Sequence, residues 1–429
     1  MASFQTVKGF RDFFPEDCAK RNYVFHQWRS LASRYGFVEY EGPLLESTDL
    51  YRKKSGEEIT QQLFCFTTKG DEEVSLRPEV TPTLARMAAA RQRDYSKPIK
   101  WFQIGRCFRY ERPGRGRLRE FYQFNVDIMG ESSPAADAEL IAMSIDVVRI
   151  FGLCEGEFAL RLSDRRLWQD FQKNHPWDDS QSTEFLQIID KIERTPEDVT
   201  DTKLQTLGSS LKHVQEFMAS VTEDHPVFAE LRANLEARGL WQYVRIDPSI
   251  VRGLAYYTGA VFEVFDLKHN LRAIAGGGRY DQLISLLSDG AVSMPACGFA
   301  MGDVVLGELI KHTPEALNKA VAWTQQSLAA DVYVIIADEA QRGHALKLAS
   351  KLRESELRVD YAMTPQKVGK QFQAAESAKA RLAIVLGSEY PTLVVKNLST
   401  REQMEVPAAD IYLKVEELMN SPINDKLLA

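Results

Sequence analysis

The sequence predicts an α+β fold built on an antiparallel sheet, with a helical insertion and a separate C-terminal α/β domain. Strand-like runs occupy the first third of the chain and return after residue 241, where apolar and polar residues alternate as they do along a half-buried strand. Between them, residues 156–241 are acidic, rich in turn residues and helical in pattern. From Asp331 onward, apolar runs alternate with helical stretches of about 10–15 residues, which is typical of a mostly parallel sheet.

The length and composition indicate a globular protein of two or three domains. A chain of 429 residues is too long for one compact core, and 44% apolar and 26% charged residues are ordinary for such proteins. No apolar run approaches the ~18 residues of a membrane span, and the N-terminus lacks the apolar core of a secretory signal. The five cysteines form no CxxC pair and the seven histidines show no ligand spacing. We therefore expect a reduced cytoplasmic protein with no membrane partner and no structural metal.

The N-terminal elements are predicted from helix signals and from alternation. Residues 15–35 are predicted to form a helix, because Pro15 suits the first helical position and Gly36 suits the end. Further helices are expected around 80–93 and 135–151. The strands are predicted at 37–44, 62–67, 100–110, 120–130, 242–250 and 260–266.

The C-terminal elements follow the same reasoning. Four apolar runs, "DVYVIIA", "LRVDYA", "RLAIVLG" and "LVVKNL", are predicted strands, and helices are expected at 340–355, at 366–379 and at the C-terminus. The predicted divisions are a first domain of residues 1–155 and 242–310, an insertion at 156–241, a linker at 311–330 and a second domain at 331–429.

One predicted hairpin is unusually rich in arginine. Between Trp101 and Asn125 there are six arginines and two acidic residues, in a chain whose formal net charge is −7. Four of these arginines lie in the connecting loop "RPGRGRLRE", where they repel one another. Such a cluster is favourable when it closes on polyanionic phosphate, which arginine binds through a planar fork of donors.

The strands of this hairpin separate an apolar face from a polar face, because side chains alternate across a strand. The polar face, which we call the polar floor, is made of Gln103, Arg109, Glu111, Phe121, Gln123, Asn125 and Asp127. A sheet with one solvated face is a common alternative. The arginine loop favours a ligand-binding floor.

Three other stretches have a similar character. They contain Arg77, Glu79 and Thr81 in "SLRPEVTPTLAR", Arg252, Tyr256 and Tyr257 in "SIVRGLAYYTGAVFEVFD", and Gly276, Gly277 and Gly278 in "AIAGGGRYD". Each signal is weak alone, since a triple glycine is more often a turn and a buried Arg–Glu pair is usually structural. Together, and without a metal or nucleophile motif, they favour a site that binds and orients anions.

These stretches resemble the histidyl-tRNA synthetase family of the class II aminoacyl-tRNA synthetases. The resemblance runs over nearly the whole chain, from "KGFRDFFPED" to "KARLAIVLGSE". "FRYERP…GRLREFYQFNVDI" resembles the second motif of the class, and "RGLAYYTGAVFE" and "GGGRYD" resemble the two histidine-specific signatures. The resemblance implies a class II catalytic domain with a six-stranded antiparallel sheet and a helical insertion, followed by a C-terminal α/β anticodon-binding domain.

The resemblance also implies an activity and partners. The reaction would join L-histidine and ATP into histidyl-adenylate and pyrophosphate, and then transfer histidine to the 3′ end of the histidine tRNA. ATP would act as a substrate with Mg²⁺, and no tightly bound cofactor is expected. The protein would be a homodimer, with the helix at 15–35 and the chain towards Pro43 in the interface.

Individual roles follow from the matching positions. Arg109 would bind the α-phosphate, with Arg252 opposite it as the second catalytic arginine. Glu111, Phe121 and Arg117 would bind the adenine amine, the adenine ring and the γ-phosphate. The residues expected around histidine are Glu79, Thr81, Arg109, Gln123, Asp127, Arg252, Tyr256 and Tyr257. The residues expected to let backbone approach the ligand are Gly276, Gly277 and Gly278.

Some positions depart from the commonest pattern of the family. Val80 stands where glycine is frequent, Asp127 where glutamate is frequent, and Gly114 where many bacterial members have glutamine. In the third motif, "GFAMGDVVLGELI", Val305 stands where an arginine usually covers the adenine and touches the γ-phosphate. The expected substitutes for that arginine are Arg115, Arg119 or Arg279.

Two alternative functions stay open at this stage. The first is a catalytically silent synthetase paralogue that acts as a regulatory subunit in histidine biosynthesis; the complete C-terminal domain and the three ATP-facing arginines disfavour it. The second is a pure nucleic-acid-binding module, which the net charge of −1 over residues 331–429 disfavours. Lys367, Lys370, Lys379 and Arg381 could contact an anticodon or simply form a solvated helix face.

Overall fold

The computed structural model describes residues 4–53, 61–252 and 256–420. The chain divides into two compact units. The first contains the described residues up to Asp12 and from Arg21 to Lys319, and the second contains Phe13–Lys20 and the described residues from Ala320 onward. No helix within the described residues is long and apolar enough to cross a membrane.

The strands of the first unit are β1 (Val38–Glu39), β2 (Leu45–Ser47), β3 (Phe64–Thr67), β4 (Glu73–Leu76), β5 (Ile99–Phe108), β6 (Glu120–Met129), β7 (Phe158–Asp164), β8 (Val244–Ile246), β9 (Ala260–Asp266), β10 (Ala275–Arg279) and β11 (Ala296–Gly302). Those of the second unit are β12 (Val332–Ile336), β13 (Val359–Tyr361), β14 (Leu382–Leu386), β15 (Thr392–Asn397) and β16 (Gln403–Pro407).

The helices, in chain order, are α1 (Pro15–Arg34), α2 (Thr81–Arg91), α3 (Pro134–Arg149), α4 (Arg165–Gln172), α5 (Asp179–Asp190), α6 (Glu197–Thr206), α7 (Leu211–Ser220), α8 (Ala229–Ala237), α9 (Leu283–Leu287), α10 (Asp303–His312), α11 (Pro314–Leu328), α12 (Arg342–Glu354), α13 (Val368–Ser377) and α14 (Ile411–Asn420). The stretch predicted as a linker, 311–330, is therefore mostly helical, and the boundary between the two units falls within α11.

The large sheet of the first unit carries the candidate site. Its strand order is β1-β5-β6-β11-β10-β9-β7-β8. The six inner strands pair antiparallel throughout, and the short strands β1 and β8 add parallel pairs at the two edges. The predicted six-stranded antiparallel sheet is confirmed, with one short strand added at each edge.

Strand β7 corrects the predicted start of the insertion. Phe158–Asp164 pairs with β9 in the large sheet, although the sequence analysis placed the helical insertion from residue 156. The helices α5, α6 and α7 follow this strand. The seven residues "FALRLSD" alternate as a strand should. The acidic turn residues that follow them favoured assigning the whole stretch to the helical insertion.

One face of the sheet packs on α1, as the alternation along the arginine-rich hairpin predicts. Trp28 of α1 stacks on Phe124 with the ring centroids 5.3 Å apart, and Phe25 meets Tyr122 edge-on at 5.0 Å. Phe102 of β5 contacts Phe124 from the same face. Because these large side chains are buried on the α1 side, the opposite face of β5 and β6 remains available for a ligand.

The second unit has a five-stranded sheet in the order β13-β12-β14-β15-β16. The pairs β12–β13 and β12–β14 are parallel, whereas β14–β15 and β15–β16 are antiparallel. The prediction of a mostly parallel sheet is therefore wrong for half of the pairs. The connections around β15 are too short for a parallel crossover, which needs about a dozen residues or more.

One of the four predicted anticodon candidates has a structural role in this unit. Arg381 donates hydrogen bonds to the carbonyl oxygens of Leu418 and Met419 at 2.7 and 2.8 Å, near the end of α14. Lys367, Lys370 and Lys379 are exposed. Their contact with an anticodon stays a prediction.

Candidate active site

A cavity of about 630 Å³ lies over the polar face of the large sheet. The arginine loop, strands β6 and β9–β11, the start of α10 and residues 189–194 of the helical insertion form its wall. Seven residues predicted from the sequence line it: Arg109, Glu111, Arg117, Phe121, Gln123, Arg252 and Gly276. The sequence motifs therefore converge on one concave surface.

The floor of this site follows from the register of β5 and β6. Gly105 lies opposite Gln123, and Gln103 lies opposite Asn125, so the polar side chains of both strands share one face. Gln103 is 1% exposed, and neither its Nε2 nor its Oε1 has a hydrogen-bond partner among the residues that the structure describes. Buried amides are nearly always hydrogen-bonded, so these groups indicate a place where a polar ligand completes the pairing.

Contacts within the protein hold the arginine loop and the residues just before it. Arg109 donates from Nε to the carbonyl oxygen of Pro78 at 3.0 Å, and its guanidinium lies 5.3 Å from the ring centre of Phe121. Glu111 and Arg117 form an ion pair of 2.7 Å between Oε2 and Nε. The carbonyl of Pro78 fixes the Arg109 guanidinium through Nε. Its other N–H donors are therefore held in position before a ligand arrives, which favours anion binding.

Arg252 enters the cavity from a strained backbone position. Its φ of 51° lies in the left-handed region, which costs a non-glycine residue roughly 1–3 kcal/mol. The guanidinium donates from Nη1 to Glu263 Oε1 at 2.9 Å and lies 5.7 Å from the Tyr257 ring centre. Burial lowers the pKa of Arg252, but Tyr257 and Glu263 raise it by more, so the side chain remains charged.

The other predicted residues, together with Tyr280, form a buried group beside Arg252. Glu79 and Thr81, at the start of α2, are 7% and 8% exposed, and Tyr257 is 7% exposed. The rings of Tyr256 and Tyr257 lie 4.7 Å apart. This set, which we call the carboxylate–tyrosine pocket, consists of Glu79, Thr81, Asp127, Tyr256, Tyr257 and Tyr280.

Asp127 shows how the sheet makes room for this pocket. It is 2% exposed and accepts a hydrogen bond from the hydroxyl of Tyr280. Burial and the Asp127 carboxylate raise the pKa of Tyr280 well above its ordinary value, so the hydroxyl stays protonated and can donate. A Cβ at Gly298 would lie 2.0 Å from Asp127 Oδ1, so glycine is needed at that position for the carboxylate to fit.

The three glycines of β10 make room chiefly for the protein's own atoms. A Cβ at Gly276 would lie 1.7 Å from Arg252 Nη1. At Gly277 it would meet the carbonyl of Gly298 at 2.1 Å, and at Gly278 the carbonyl of Ala260 at 2.6 Å. Gly276 lines the cavity, so backbone approach to a ligand stays a prediction there; the other two glycines face neighbouring strands.

Two of the three expected substitutes for the third-motif arginine lie elsewhere. Arg279 is 6% exposed and binds Asp137 at 2.6 Å and Asp281 at 3.0 Å. Arg119 donates to the carbonyl of Glu111 and packs over the Tyr110 ring at 4.1 Å. The buried Asp137 holds Arg279, and the contacts of Arg119 with Glu111 and Tyr110 hold that side chain, so these positions disfavour both as the substitute. The third, Arg115, lies at an outer hollow next to the cavity, beside Val305.

The buried ion pair of Arg279 leads to a stability prediction. Arg279→Met should lower the free energy of unfolding by about 3–5 kcal/mol, because it leaves the Asp137 carboxylate buried and unpaired. Urea unfolding measures this loss. Lys173→Met, which removes an exposed pair with Asp170, is the control and should change stability by ~1 kcal/mol or less. Equal stability of the two variants would contradict the assignment.

Several residues at the site were not predicted from the sequence. Glu263 pairs with Arg252, Tyr280 holds Asp127, and the insertion brings Asp190 and Arg194 to the cavity wall. Arg272, which precedes β10, lines the same wall. Alternation along β9 places Glu263 on the ligand-facing side, and this signal could have identified it; the insertion residues carry no such pattern.

The described part of the chain contains no group of three or more His, Cys, Asp or Glu side chains that could hold a metal ion. Of the four carboxylates at the cavity wall, three pair with arginines: Glu111, Glu193 and Glu263. The cations and hydrogen-bond donors of the wall suit the binding of phosphate esters.

The sequence of this chain matches family models and known proteins over most of its length. Residues 9–303 match the family model described as histidyl-tRNA synthetase, and residues 331–418 match an anticodon-binding domain. A histidine–tRNA ligase of Opitutus terrae is 41% identical, covering 98% of this chain and all of its own. A chloroplastic/mitochondrial histidine–tRNA ligase of Arabidopsis thaliana is 37% identical over 94% of this chain and 85% of its own.

The fold agrees with a solved structure as well. Histidyl-tRNA synthetase from Nostoc superposes with a TM-score of 0.74 at 23% identity, covering 97% of this chain and 100% of that one. At that identity the likeness concerns the fold. Together with the family model over residues 9–303 and the full-length relatives, it establishes the family. This chain belongs to the histidyl-tRNA synthetases.

Proposed function

We propose that this protein is a histidine–tRNA ligase, which activates L-histidine with ATP and transfers it to the 3′ end of the histidine tRNA. The 41% identity to a histidine–tRNA ligase over 98% of the chain is the observation that carries the proposal. The charging of unfractionated tRNA with labelled histidine tests the complete reaction. Histidine and no other amino acid should become attached; a protein that charges nothing would contradict the proposal.

ATP is proposed to bind in the cavity, as its magnesium complex. The adenine would lie against Phe121 near Glu111, while the phosphates meet Arg109, Arg117 and Arg252. The charge and the stacking surface of these cavity-lining side chains support this placement. Because arginines pair with Glu111 and Glu263, we propose that Mg²⁺ would arrive with the phosphates as part of the substrate.

Histidine is proposed to place its imidazole in the carboxylate–tyrosine pocket. Buried acceptors and hydroxyl donors suit the two ring nitrogens, one of which donates while the other accepts. Gln123 and Arg252, which line the cavity next to the pocket, would orient the amino acid towards the α-phosphate. A site that pairs both ring nitrogens rejects other side chains, because they leave its buried polar groups unpaired.

Glu79→Gln should weaken histidine binding by roughly 10- to 100-fold and leave ATP binding nearly unchanged. The reason is the loss of a charge-assisted hydrogen bond, worth about 1.5–3 kcal/mol. Calorimetric titration with each ligand separates the two effects. An equal loss of both affinities would instead identify Glu79 as a structural residue that holds the start of α2.

The working form is proposed to be a homodimer. Val38 of the edge strand β1 is 64% exposed, and Leu44 and Leu45 nearby are 44% and 39% exposed. Apolar side chains concentrated near the segment that the family resemblance places in the interface support association. Sedimentation equilibrium should give twice the chain mass of 48.7 kDa. A monomer at micromolar concentration would contradict the proposal.

The cytoplasmic location of the protein stays a prediction.

The regulatory paralogue is the second candidate, and the same residues disfavour it. Such a protein needs neither the phosphate-binding arginines nor an anticodon-binding domain. This chain has Arg109, Arg117 and Arg252 at the cavity wall and matches an anticodon-binding domain over residues 331–418. The ligase is therefore the better-supported function.

A further inference from the structure

Five arginines line the cavity, and they differ in how they are held. Arg109, Arg117 and Arg252 each have a partner within the protein: the Pro78 carbonyl, Glu111 and Glu263, respectively. Arg194 and Arg272 are exposed, and within the described residues neither side chain makes a hydrogen bond or an ion pair. An arginine that faces a concave, cation-rich wall without a partner is in a position to bind an anionic ligand.

Arg272 lies where the arginine loop meets the start of α10. The Cβ of a side chain at Gly116 would lie 3.7 Å from Arg272 Cδ and 3.3 Å from Val305 Cγ2. Arg272 lines both the main cavity and the outer hollow of about 330 Å³. The Arg272 side chain therefore lies beside Gly116, and it lines the same hollow as Val305.

The charge of Arg272 acts on the neighbouring phosphate-binding candidate. Burial lowers the pKa of Arg117; Glu111 opposes this effect, and Arg272 is the cation that lowers the pKa most. Two guanidinium groups that repel each other at the wall of one cavity are stabilised when a polyanion lies between them.

We propose that Arg272 binds the outer phosphates of ATP, and the pyrophosphate that forms from them, at the place where Val305 supplies no cation. This inference rests on the proposed function. The side chain would contact the β- and γ-phosphates from the side opposite Arg117. It would neutralise charge that moves onto the leaving pyrophosphate as the α-phosphate is attacked.

The position of Val305 follows from this assignment. Val305 is 9% exposed and contacts the same small space beside Gly116. An arginine at residue 305 would compete with Arg272 for that space. The small side chain of Val305 thus leaves room for Arg272, which comes from the connection between β9 and β10.

The test combines three variants: Arg272→Ala, Val305→Arg and the double variant. Arg272→Ala should weaken ATP and pyrophosphate binding by about 10- to 100-fold, which is the effect of a hydrogen bond to a charged group. Histidine affinity should change less than threefold. Val305→Arg alone should not increase the affinity for ATP or pyrophosphate. The double variant should recover at least half of the binding free energy that Arg272→Ala loses. Arg93→Ala is the control, because it removes an exposed arginine that lies outside the arginine loop and does not line the cavity.

Calorimetric titration with pyrophosphate, run beside histidine-dependent ATP–pyrophosphate exchange, separates this inference from the proposed function. A wild-type protein without exchange would defeat the proposed function, while a weaker pyrophosphate affinity in Arg272→Ala would still support the inference. An Arg272→Ala variant that binds pyrophosphate as Arg93→Ala does would overturn it. So would a hundredfold gain of exchange in Val305→Arg, because it would show that no residue had replaced the third-motif arginine.

Discussion

Arg252→Ala is expected to reduce histidine-dependent ATP–pyrophosphate exchange by a hundredfold or more, or ~2.7 kcal/mol of transition-state stabilisation. The guanidinium lies in the cavity wall with a fixed partner, Glu263, so in the proposed site it would meet the reacting phosphate without reorganising. Affinity for histidine should fall much less. Arg252→Lys should not restore the rate, because an ammonium lacks the planar fork that spans two phosphate oxygens.

A second variant separates catalysis from folding. Removal of Arg252 leaves the partly buried Glu263 without its cation, which costs stability whatever the catalytic role of the arginine. Arg252→Ala/Glu263→Gln removes that unpaired charge, so its stability should recover while its exchange rate stays low. A near-normal rate in either variant would show that Arg252 only supports the structure.

Gly276→Ala is expected to reduce exchange by roughly 10- to 100-fold while the protein stays folded. The new Cβ would lie 1.7 Å from Arg252 Nη1, and this atom is the end of a flexible side chain that can move away. The displaced guanidinium would lose both Glu263 and the phosphate position, and a misplacement of about 1 Å can cost a hundredfold in rate. Exchange kinetics and thermal unfolding of the same sample measure the two effects.

Gly277→Ala is the matched comparison for this prediction. Its Cβ would meet the carbonyl oxygen of Gly298 at 2.1 Å and the Cα of Phe299 at 2.6 Å, both in the backbone of β11. Backbone in the middle of a sheet cannot move aside, so this variant should lose about 1–3 kcal/mol or more of stability.

The result that would contradict this pair of predictions is full activity of Gly276→Ala, because it would show that the proposed position of Arg252 is wrong.

The parts of the fold that could be predicted are those with strong local patterns. Strands β5 and β6 follow from strict alternation, and α1 follows from Pro15 and Gly36 at its ends. Strands β10 and β11 were not predicted, because "AGGGR" and "ACGFAMG" are poor in β-branched residues. In these two strands, four of the five glycines let a neighbouring strand or side chain approach closely.

The candidate site shows a similar limit. Local sequence identifies arginine as a phosphate-binding residue type, but not whether a given arginine faces a ligand or a carboxylate. Arg279 binds Asp137, 142 residues away in the chain, and this partner decides its role. Arg272 was overlooked for the converse reason: its own segment carries no motif, and only the packing against Gly116 and Val305 brings it to the cavity.

Amino-acid-dependent ATP–pyrophosphate exchange with all twenty amino acids tests the central claim most directly. It reports adenylate formation at this site without requiring the correct tRNA, and it compares every side chain under the same conditions. We predict ordinary exchange with histidine and only background exchange with the other nineteen. A folded protein that binds histidine but exchanges with none of the twenty would contradict the account and favour the regulatory paralogue.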